Sequence, residues 1–178
     1  MKQPQRPRAI TALAVALASA VLAGCAADPT KGWSTASIWS TDIRTVSVEL
    51  FANATPNRNF EFEFTDALIK EIEARTPYKV TSPGRADTIV TGRIRRVEHT
   101  QLSKSRVTGL SEEVTVSVTI DLSWTDLRTG ETLLELESFT ANSLFVPSNP
   151  TREPIELGEF GVAQQLAHDV VTEMQMDW

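Results

Sequence analysis

Several stretches of the chain alternate apolar and polar residues with a period of two, as strands with one buried face do. The longest run places Val114, Val116, Val118, Ile120, Leu122 and Trp124 on one face, with Ser, Thr and Asp residues between them. A shorter run covers 45–50, and residues 126–131 predict a hairpin turn in which Gly130 adopts a positive φ. Leu134 and Leu136 begin the returning strand, so we expect an antiparallel hairpin.

Two other segments carry apolar residues at helical spacing. In the first, every fourth residue is apolar: Phe60, Phe64, Leu68 and Ile72. Pro77 ends this helix because proline lacks a backbone donor. The start of the helix is uncertain by one turn, because Phe62 makes residues 60–64 alternate as in a strand. The second stripe predicts a long C-terminal helix and comprises Phe160, Ala163, Leu166, Ala167, Val170, Val171 and Met174. Segments 78–81 and 88–97 are further strand candidates.

These elements follow one another in the order β-α-β-β-β-α, each with one apolar face or stripe. The economical arrangement is an α+β fold in which two helices pack on one face of a mostly antiparallel, four- to five-stranded sheet. Residues 25–178 are enough to bury a core without a metal or a disulfide. The opposite face of the sheet, rich in Ser and Thr, is expected to stay in water or to meet a partner.

The first 25 residues have the three parts of a bacterial lipoprotein signal. Basic residues before position 9 precede an uncharged stretch over 9–23, which is shorter than the roughly 20 apolar residues that a spanning helix needs. The stretch runs into a Leu-Ala-Gly-Cys tetrad at 22–25, where Cys25 is the only cysteine of the chain. We therefore predict cleavage after residue 24 and lipid attachment at Cys25, which anchors the protein to a membrane without spanning it.

The predicted organisation is a signal peptide at 1–24, a lipidated Cys25 with its tether at 25–40, and a single domain at 41–178. The segment after Cys25 is short of aliphatic side chains, which suits a tether. Alanine rather than aspartate follows Cys25, which favours the outer membrane over the inner one.

Charge argues against nucleic-acid binding. Once residues 1–24 are removed, 14 basic and 23 acidic residues remain, a net charge of −9, so no overall basic surface attracts a polyanion. The sequence also lacks a phosphate-binding glycine loop, a zinc-protease motif and a nucleophile elbow. His99 and His168 are the only imidazoles and lie far apart in sequence. We therefore expect no enzyme activity, no metal and no cofactor.

One segment departs from this acidic background. Between residues 85 and 106 the chain carries six basic and two acidic residues. Arg93 and Arg95 share one strand face, and guanidinium groups bind phosphates through paired hydrogen bonds. The hypothesis is a site for an anionic head group, such as a lipid A phosphate, formed by Arg93, Arg95, Arg96, Lys104 and Arg106. The alternative is a solvated strand edge whose charges prevent aggregation.

Four tryptophans and one apolar run complete the candidate contacts. Trp124 ends the apolar face of the longest strand and is expected in the core. The other three, Trp33, Trp39 and Trp178, are candidates for a membrane interface, a partner surface or disordered ends. The run 144–146 is expected to finish the last strand, with a contact surface as the alternative.

Four stretches stand out together: 41–46 (TDIRTV) running into 51–53 (FAN), 62–72 (FEFTDALIKEI), 86–88 (ADT) and 126–131 (DLRTGE). With the lipoprotein tetrad, they resemble the LptE family of outer-membrane lipoproteins, in the divergent form of planctomycete-type bacteria. The resemblance covers most of the chain. Its residues belong to strand starts, a helix and a turn, and none of them is catalytic.

The resemblance implies a subunit that sits inside the lumen of an LptD-like β-barrel, plugs it and helps lipopolysaccharide reach the outer leaflet. It implies no covalent chemistry. It also implies direct binding of lipopolysaccharide or a similar glycolipid through basic residues, although no family motif assigns their positions. The expected location is the cell outer membrane, reached through the lipid anchor, with the domain in the periplasm or inside the barrel.

Two alternatives stay open. Lipoproteins of other export pores, such as the CsgG-like group, also open with Val-x-Val, then Phe-x-Asn and a helix. A pore former needs further amphipathic segments of about 9 to 11 residues that cross the bilayer, and this chain has none to spare once the core strands are assigned. The other alternative is a periplasmic glycolipid-binding module.

Overall fold

The structure is a computed structural model, and it describes residues 38–104, 106, 111–146 and 154–175, without the side chains of 111 and 112. The described residues lie in one compact unit, Ile38–Trp178. The predicted signal peptide, Cys25, Trp33, Trp178 and most of the tether fall outside them. Those predictions, and the domain boundaries that depend on them, stay predictions.

The described part of the chain contains six strands and two α-helices. In chain order they are β1 (Thr45–Val48), β2 (Ala52–Asn53), α1 (Phe60–Arg75), β3 (Lys79–Val80), β4 (Thr88–Lys104), β5 (Ser111–Asp126), β6 (Thr132–Phe145) and α2 (Glu156–Glu173). A short 3-10 helix, Pro83–Arg85, precedes β4. Helix α1 begins at Phe60, so the alternating phenylalanines are helical, and β6 takes in most of the run 144–146.

The α+β class is confirmed, because two helices pack against a single sheet. The sheet is mixed, however, with the strand order β3-β1-β4-β5-β6 and β2 beside β4. Strand β1 is parallel to β3 and β4, and β2 is parallel to β4, whereas β4, β5 and β6 are antiparallel neighbours. The expectation of a mostly antiparallel sheet of four to five strands is corrected by this parallel half.

The two halves of the sheet follow from their connections. A helix between two strands carries the chain back to the end where the first strand began, so the next strand runs in the same direction. Because α1 lies between β1 and β4, Val46 pairs with Thr88 and Val48 with Val90 in parallel. The tight turn after β5 permits only antiparallel pairing with β6, and Gly130 in that turn has a φ of 76°, as predicted.

The core lies between the helices and one face of the sheet, called the inner face below. On β5 this face is the predicted apolar run, all of it buried. The helices cover it with buried side chains of their predicted stripes: Phe60, Phe64, Leu68 and Ile72 from α1, and Ala163, Leu166, Ala167, Val170, Val171 and Met174 near and within α2. Phe160 is a correction, since it is exposed. The first turn of α2 instead packs through Gly158, which lies against Phe145.

Trp39 belongs to the core, which corrects its interpretation as a membrane or partner contact. Its ring lies edge-on against Tyr78, with ring centres 5.9 Å apart. Tyr78 also contacts Trp124 at 6.0 Å, and its hydroxyl accepts a hydrogen bond from the backbone N–H of Ser40. Trp124 is buried, as predicted. These three rings attach the start of the described chain to the sheet.

A second aromatic contact explains a glycine inside β4. The ring of Phe51 packs edge-on against Phe64, with centres 4.8 Å apart, and lies against Gly92. A Cβ at Gly92 would come within 2.4 Å of Phe51 Cε1 and 2.5 Å of the Asp121 carbonyl oxygen. No side chain fits there, so β4 needs glycine at this position.

Candidate functional site

The face of the sheet opposite the helices, called the outer face below, is polar on β5, and neither helix covers it there. On β5 it consists of Thr115, Ser117, Thr119, Asp121, Ser123 and Thr125, all half-buried. Hydroxyls on β5 bond to β6: Ser117 Oγ donates to Asn142 Oδ1 at 2.6 Å, and the hydroxyl oxygens of Thr119 and Thr140 are 2.8 Å apart. The outer face therefore satisfies part of its own hydrogen bonding without a covering layer.

A network centred on Asp121 brings two of the predicted arginines together. Arg93 Nε donates to Asp121 Oδ2 at 2.8 Å, and Arg95 Nη1 donates to Asp121 Oδ1 at 3.2 Å. The backbone N–H of Ser138 donates to the same Oδ1 at 2.9 Å, and Arg95 also reaches Ser138 Oγ. Arg93 and Arg95 thus share a face, as predicted. Asp121 was missed as their partner, although its place in the alternating run of β5 puts it on this face.

Two β-bulges flank Asp121. The pairing of β4 with β5 shifts between Ile94 and Arg96, and the pairing of β5 with β6 shifts between Ile120 and Leu122. The second shift is accompanied by a left-handed Ser138, with a φ of 54°. A bulge adds a residue to one strand and re-aims its side chains. The bulged strands thus approach Asp121 from both sides.

This network lowers the pKa of Asp121, chiefly through the backbone hydrogen bond from Ser138, then through the bond from Arg93, with Arg95 adding to both. The carboxylate is therefore ionised at neutral pH. It offsets one of the two guanidinium charges, so Arg93 and Arg95 keep one net positive charge between them. Their side chains remain 61% and 47% exposed, which leaves N–H groups accessible to a ligand.

The other three predicted basic residues are not part of this network. Arg96 Nη1 lies 3.6 Å from Glu98 Oε1, a long and exposed ion pair. Lys104 ends β4, and Arg106 follows it; neither forms an ion pair with any residue that the structure describes. Of the five candidates, the structure therefore joins only Arg93 and Arg95, and leaves the others spread along β4 and beyond its end.

A concavity of about 520 Å³ adjoins the network on the outer face. Its lining includes Arg93, Arg95 and Asp121 together with Glu135 and Glu137 of β6. The two glutamates are exposed and were not among the predicted site residues. Three carboxylates against two guanidinium groups make this concavity a surface of mixed charge, whereas the sequence suggested a basic one.

The two histidines lie in separate clusters between the helices and their neighbours. His99 Nε2 is 3.0 Å from Glu159 Oε1, and His168 Nδ1 is 3.1 Å from Glu71 Oε1. Near the first pair, Glu63 Oε2 is buried and has no hydrogen-bond partner among the described residues. Burial raises the pKa of Glu63, and the charges of Glu159 and Glu156 raise it further. The structure does not bring the imidazoles together.

Three of the stretches that carry the family resemblance meet at one end of the sheet. The carboxylate of Asp87 accepts hydrogen bonds from the backbone N–H groups of Arg44 and Thr45, each at 3.0 Å. These bonds, with that from the Thr45 hydroxyl, lower the pKa of Asp87. The backbone N–H of Leu127 donates to the Asp87 carbonyl oxygen at 2.8 Å. The junction holds the starts of β1 and β4 against the turn after β5, so its role is structural.

Asp126 organises that turn. Its Oδ1 accepts the Arg128 backbone N–H at 2.7 Å, and its Oδ2 accepts Arg128 Nη2 at 2.8 Å. The side-chain bond from Arg128, followed by the backbone bond, lowers the pKa of Asp126 to about 2. The turn therefore depends on an ionised carboxylate.

None of the described helices has both the length and the apolar character needed to cross a membrane. No group of three or more His, Cys, Asp or Glu side chains among the described residues is placed to hold a metal ion.

The α+β domain is similar to several solved bacterial proteins. A Xanthomonas campestris protein of the DUF330 family superposes with a TM-score of 0.51 at 8% identity, over 72% of this chain and 81% of its own. The rare lipoprotein B from Shewanella oneidensis gives 0.47 at 12% identity, over 74% and 93%. The PelC dodecamer protein from Paraburkholderia phytofirmans gives 0.47 at 18% identity, over 80% and 96%.

Comparison of the sequence with known families identifies the family of this protein. No curated protein sequence matches the chain. The model of the LptE family, described as lipopolysaccharide-assembly, matches residues 43–175. The chain belongs to the LptE family, and the resemblance drawn from its sequence is confirmed.

Proposed function

We propose that this protein is a lipid-anchored, non-catalytic subunit of the outer membrane that acts in lipopolysaccharide assembly, seated in the lumen of an LptD-like β-barrel. The observation that carries the proposal is the match to the lipopolysaccharide-assembly family over residues 43–175. The lipoprotein signal that ends at Cys25 supports anchoring at a membrane surface.

The outer face supports a position inside a barrel. Water-filled and plugged membrane barrels have polar interiors, because their apolar residues point to the lipid. The hydroxyl-lined outer face, with Asp121 and its arginines at the centre, matches such an interior in polarity. An apolar outer face would have called for a further protein layer or a lipid.

The same face and the end of β4 supply the candidate glycolipid contacts. Lipid A phosphates are anionic, and Arg and Lys bind phosphate by charge-assisted hydrogen bonds. Arg93 and Arg95 share the charge of Asp121, Arg96 makes a long, exposed pair with Glu98, and Lys104 and Arg106 form no ion pair with the described residues. We assign head-group binding to all five of these residues.

Affinity purification tests the barrel partner. The full-length, lipidated protein is purified from detergent-solubilised outer membranes, and stoichiometric companions are identified by mass spectrometry. One large β-barrel protein at about one to one is the expected result. A homo-oligomer in place of the barrel, or a monomer alone, would contradict the proposal and favour the export-pore or periplasmic-module alternative.

A pair of matched variants shows whether the outer face makes the contact. Ser117→Arg with Thr119→Arg adds two bulky cations to the outer face and should reduce the recovered barrel at least about tenfold, which corresponds to about 1.4 kcal/mol of binding. Ala74→Arg with Gln164→Arg adds the same charge to exposed helix positions and should leave recovery unchanged. Equal recovery from both pairs would place the contact elsewhere.

Lipopolysaccharide binding has its own test. Arg93→Ala, Arg95→Ala and Arg96→Ala together should weaken binding and flatten its salt dependence, because each removed cation takes away a screened attraction. The control removes three exposed cations elsewhere: Lys70→Ala, Lys79→Ala and Arg85→Ala. Unchanged affinity and salt dependence in the first variant would contradict the head-group assignment and would not affect the proposed barrel partnership.

A further inference from the structure

The concavity on the outer face has a positive side and a negative side. On the positive side, the guanidinium groups of Arg93 and Arg95 lie over the middle strand β5, because both bind the Asp121 carboxylate there. On the negative side, Glu135 and Glu137 of β6 form no ion pair with the described residues. Because Asp121 offsets one arginine charge, the positive side keeps a net charge of +1, against −2 for the two glutamates.

Small side chains separate the two charged sides. Thr91 on β4 pairs with Ser123 on β5, and Ser123 pairs with Glu135 on β6, so these three residues form one row across the sheet. Gly92 and Ala52 also line the concavity and add little bulk to it. The lining therefore offers hydroxyl groups between the charges and leaves a volume of about 520 Å³, which is within the range of small-molecule sites.

The spacing of the charges limits the kind of ligand that fits. Neighbouring strands lie about 4.8 Å apart. The guanidinium groups lie over β5 and the two glutamates belong to β6, so opposite charges are separated by about one strand spacing. A ligand with phosphate alone would bring its charge close to three carboxylates, and a ligand with a cation alone would leave both arginines unmatched. The complementary ligand carries an anionic group and a cationic group joined by a short link.

We propose that this concavity binds a phosphoethanolamine head group, with its phosphate at Arg93 and Arg95 and its ammonium at Glu135 and Glu137. Guanidinium groups bind phosphate oxygens by charge-assisted hydrogen bonds, and a primary ammonium has three N–H donors for carboxylates. Two carbons join the charged groups of this ligand, which suits the spacing of one strand.

The proposed site deepens the head-group binding proposed above and rests on it for the role of the two arginines, to which it adds the two glutamates. It needs a single copy of the chain and no further protein. A phospholipid with this head group and a lipopolysaccharide that carries it offer the same chemistry, so the experiments test the head group first and its source last.

Soluble head groups test the chemistry of the ligand. Full-length, lipidated protein in a non-ionic detergent is titrated with glycerophosphoethanolamine, glycerophosphocholine and glycerophosphoglycerol, and binding is followed by NMR signals of the probe. The choline probe has a cation without N–H donors, and the glycerol probe has no cation. Glycerophosphoethanolamine should bind at least about tenfold more tightly than either, which corresponds to about 1.4 kcal/mol. Equal binding of the three probes, or binding of none, would overturn the proposal.

Matched variants test the ammonium side. Glu135→Gln with Glu137→Gln removes two charges at nearly constant size and leaves the arginines unchanged. This variant should bind glycerophosphoethanolamine at least about tenfold more weakly and should lose the preference over glycerophosphoglycerol. Glu73→Gln with Glu173→Gln removes two exposed carboxylates from the helices and should change neither property.

A preference that survives in the first variant would overturn the proposed site. It would not affect the head-group binding proposed above, which the arginine variants test separately with lipopolysaccharide.

Lipid analysis identifies the source of the head group. Lipids that co-purify from outer membranes with the unaltered protein and with the Glu135→Gln, Glu137→Gln variant are compared by mass spectrometry. We expect a companion that carries phosphoethanolamine, either a phospholipid or a lipopolysaccharide, and a clear reduction of it in the variant. Companions that lack this group, retained equally by both proteins, would contradict the proposal.

Discussion

The two faces of β5 show how one strand serves two purposes. On the inner face Val116, Val118 and Ile120 are fully buried beneath the helices. On the outer face Ser117 and Thr119 are half-buried and bond to β6. Apolar burial contributes about 25 cal/mol per Å² of area, so the inner face stabilises the fold while the outer face adds little. Substitutions on the two faces should therefore separate folding from binding.

The faces also differ in how closely they are packed. The inner side of β4 touches its neighbours so tightly at Gly92 that the Phe51 ring occupies the place of a Cβ. The outer side is open around Asp121, where two bulges and a concavity leave room for a ligand. A tightly packed face tolerates few residues, whereas an open one tolerates many and is free to vary with its partner.

The largest expected difference comes from adjacent residues of β5. Ile120→Ala should lower the free energy of unfolding by about 2–5 kcal/mol, because it leaves a cavity in a fully buried position. Thr119→Ala, one residue earlier on the outer face, should cost about 0.5–1 kcal/mol, since it removes one hydroxyl contact and some strand propensity. Urea denaturation measures both. Similar costs would mean that the outer face is as much a part of the core as the inner one.

The next largest effect tests the tight contact in β4. Gly92→Ala should destabilise the fold by about 1–3 kcal/mol, because a methyl group has to displace the Phe51 ring or the β5 backbone. Gly84→Ala is the control, since nothing lies within 4 Å of its Cβ position, and it should be neutral or slightly stabilising. A neutral Gly92→Ala in thermal denaturation would show that the two faces of β4 are equally tolerant.

A smaller effect, visible only in acid, distinguishes the end of the sheet from both faces. Because the pKa of Asp126 is lowered to about 2, its ionised form stabilises the fold above about pH 4, the ordinary aspartate range, and this stability is lost as the pH falls towards 2. Asp126→Asn should therefore be less stable than the unaltered protein at pH 6, and this difference in stability should become smaller near pH 2. Denaturation midpoints of both proteins across that pH range measure the difference. A difference that stays constant with pH would mean that the charge of Asp126 does not matter to the turn.

The smallest effect on stability is expected at the centre of the outer face. Asp121→Asn keeps an acceptor for the Ser138 N–H and should cost little stability, because the arginine side chains of the two ion pairs that it removes are largely exposed. It also frees the charge of Arg93 and Arg95, so binding of lipopolysaccharide should tighten, as titration at fixed salt would show. Weaker binding would indicate that Asp121 positions the arginines. A large loss of stability would show that the outer face contributes to the stability of the fold as the core does.

Local patterns predicted much of this molecule. The alternation in β5 predicted one buried strand face, and the apolar stripe of α1 predicted one buried helix face. The structure confirms both. Gly130 was predicted because a tight hairpin turn needs a positive φ that other residues avoid. The alternation of β4 was followed only to Val97, because its remaining residues are mostly polar and a bulge shifts the period, although the strand continues to Lys104.

The candidate site was predicted less well, because its geometry depends on residues distant in sequence. Arg93 and Arg95 were expected together, but nothing within β4 shows that Asp121 lies between them on the next strand. Glu135 and Glu137 join the same concavity only through the pairing of β6 with β5. Trp39 was interpreted as a membrane contact, a partner contact or part of a disordered end because it lies near the start of the domain, yet Tyr78 provides a buried partner for it.

By itself, then, the sequence determined what short-range physics controls: the periods of the strands and helices, the hairpin turn, the α+β class and the family stretches that hold one end of the sheet. Only the tertiary structure decided the parallel pairing of β1 with β4, the two bulges beside Asp121 and the need for glycine at position 92. The physical reason is that periodicity records which side of an element is buried. It does not record which other element, in which register, lies beside it, and that choice depends on packing across the whole core.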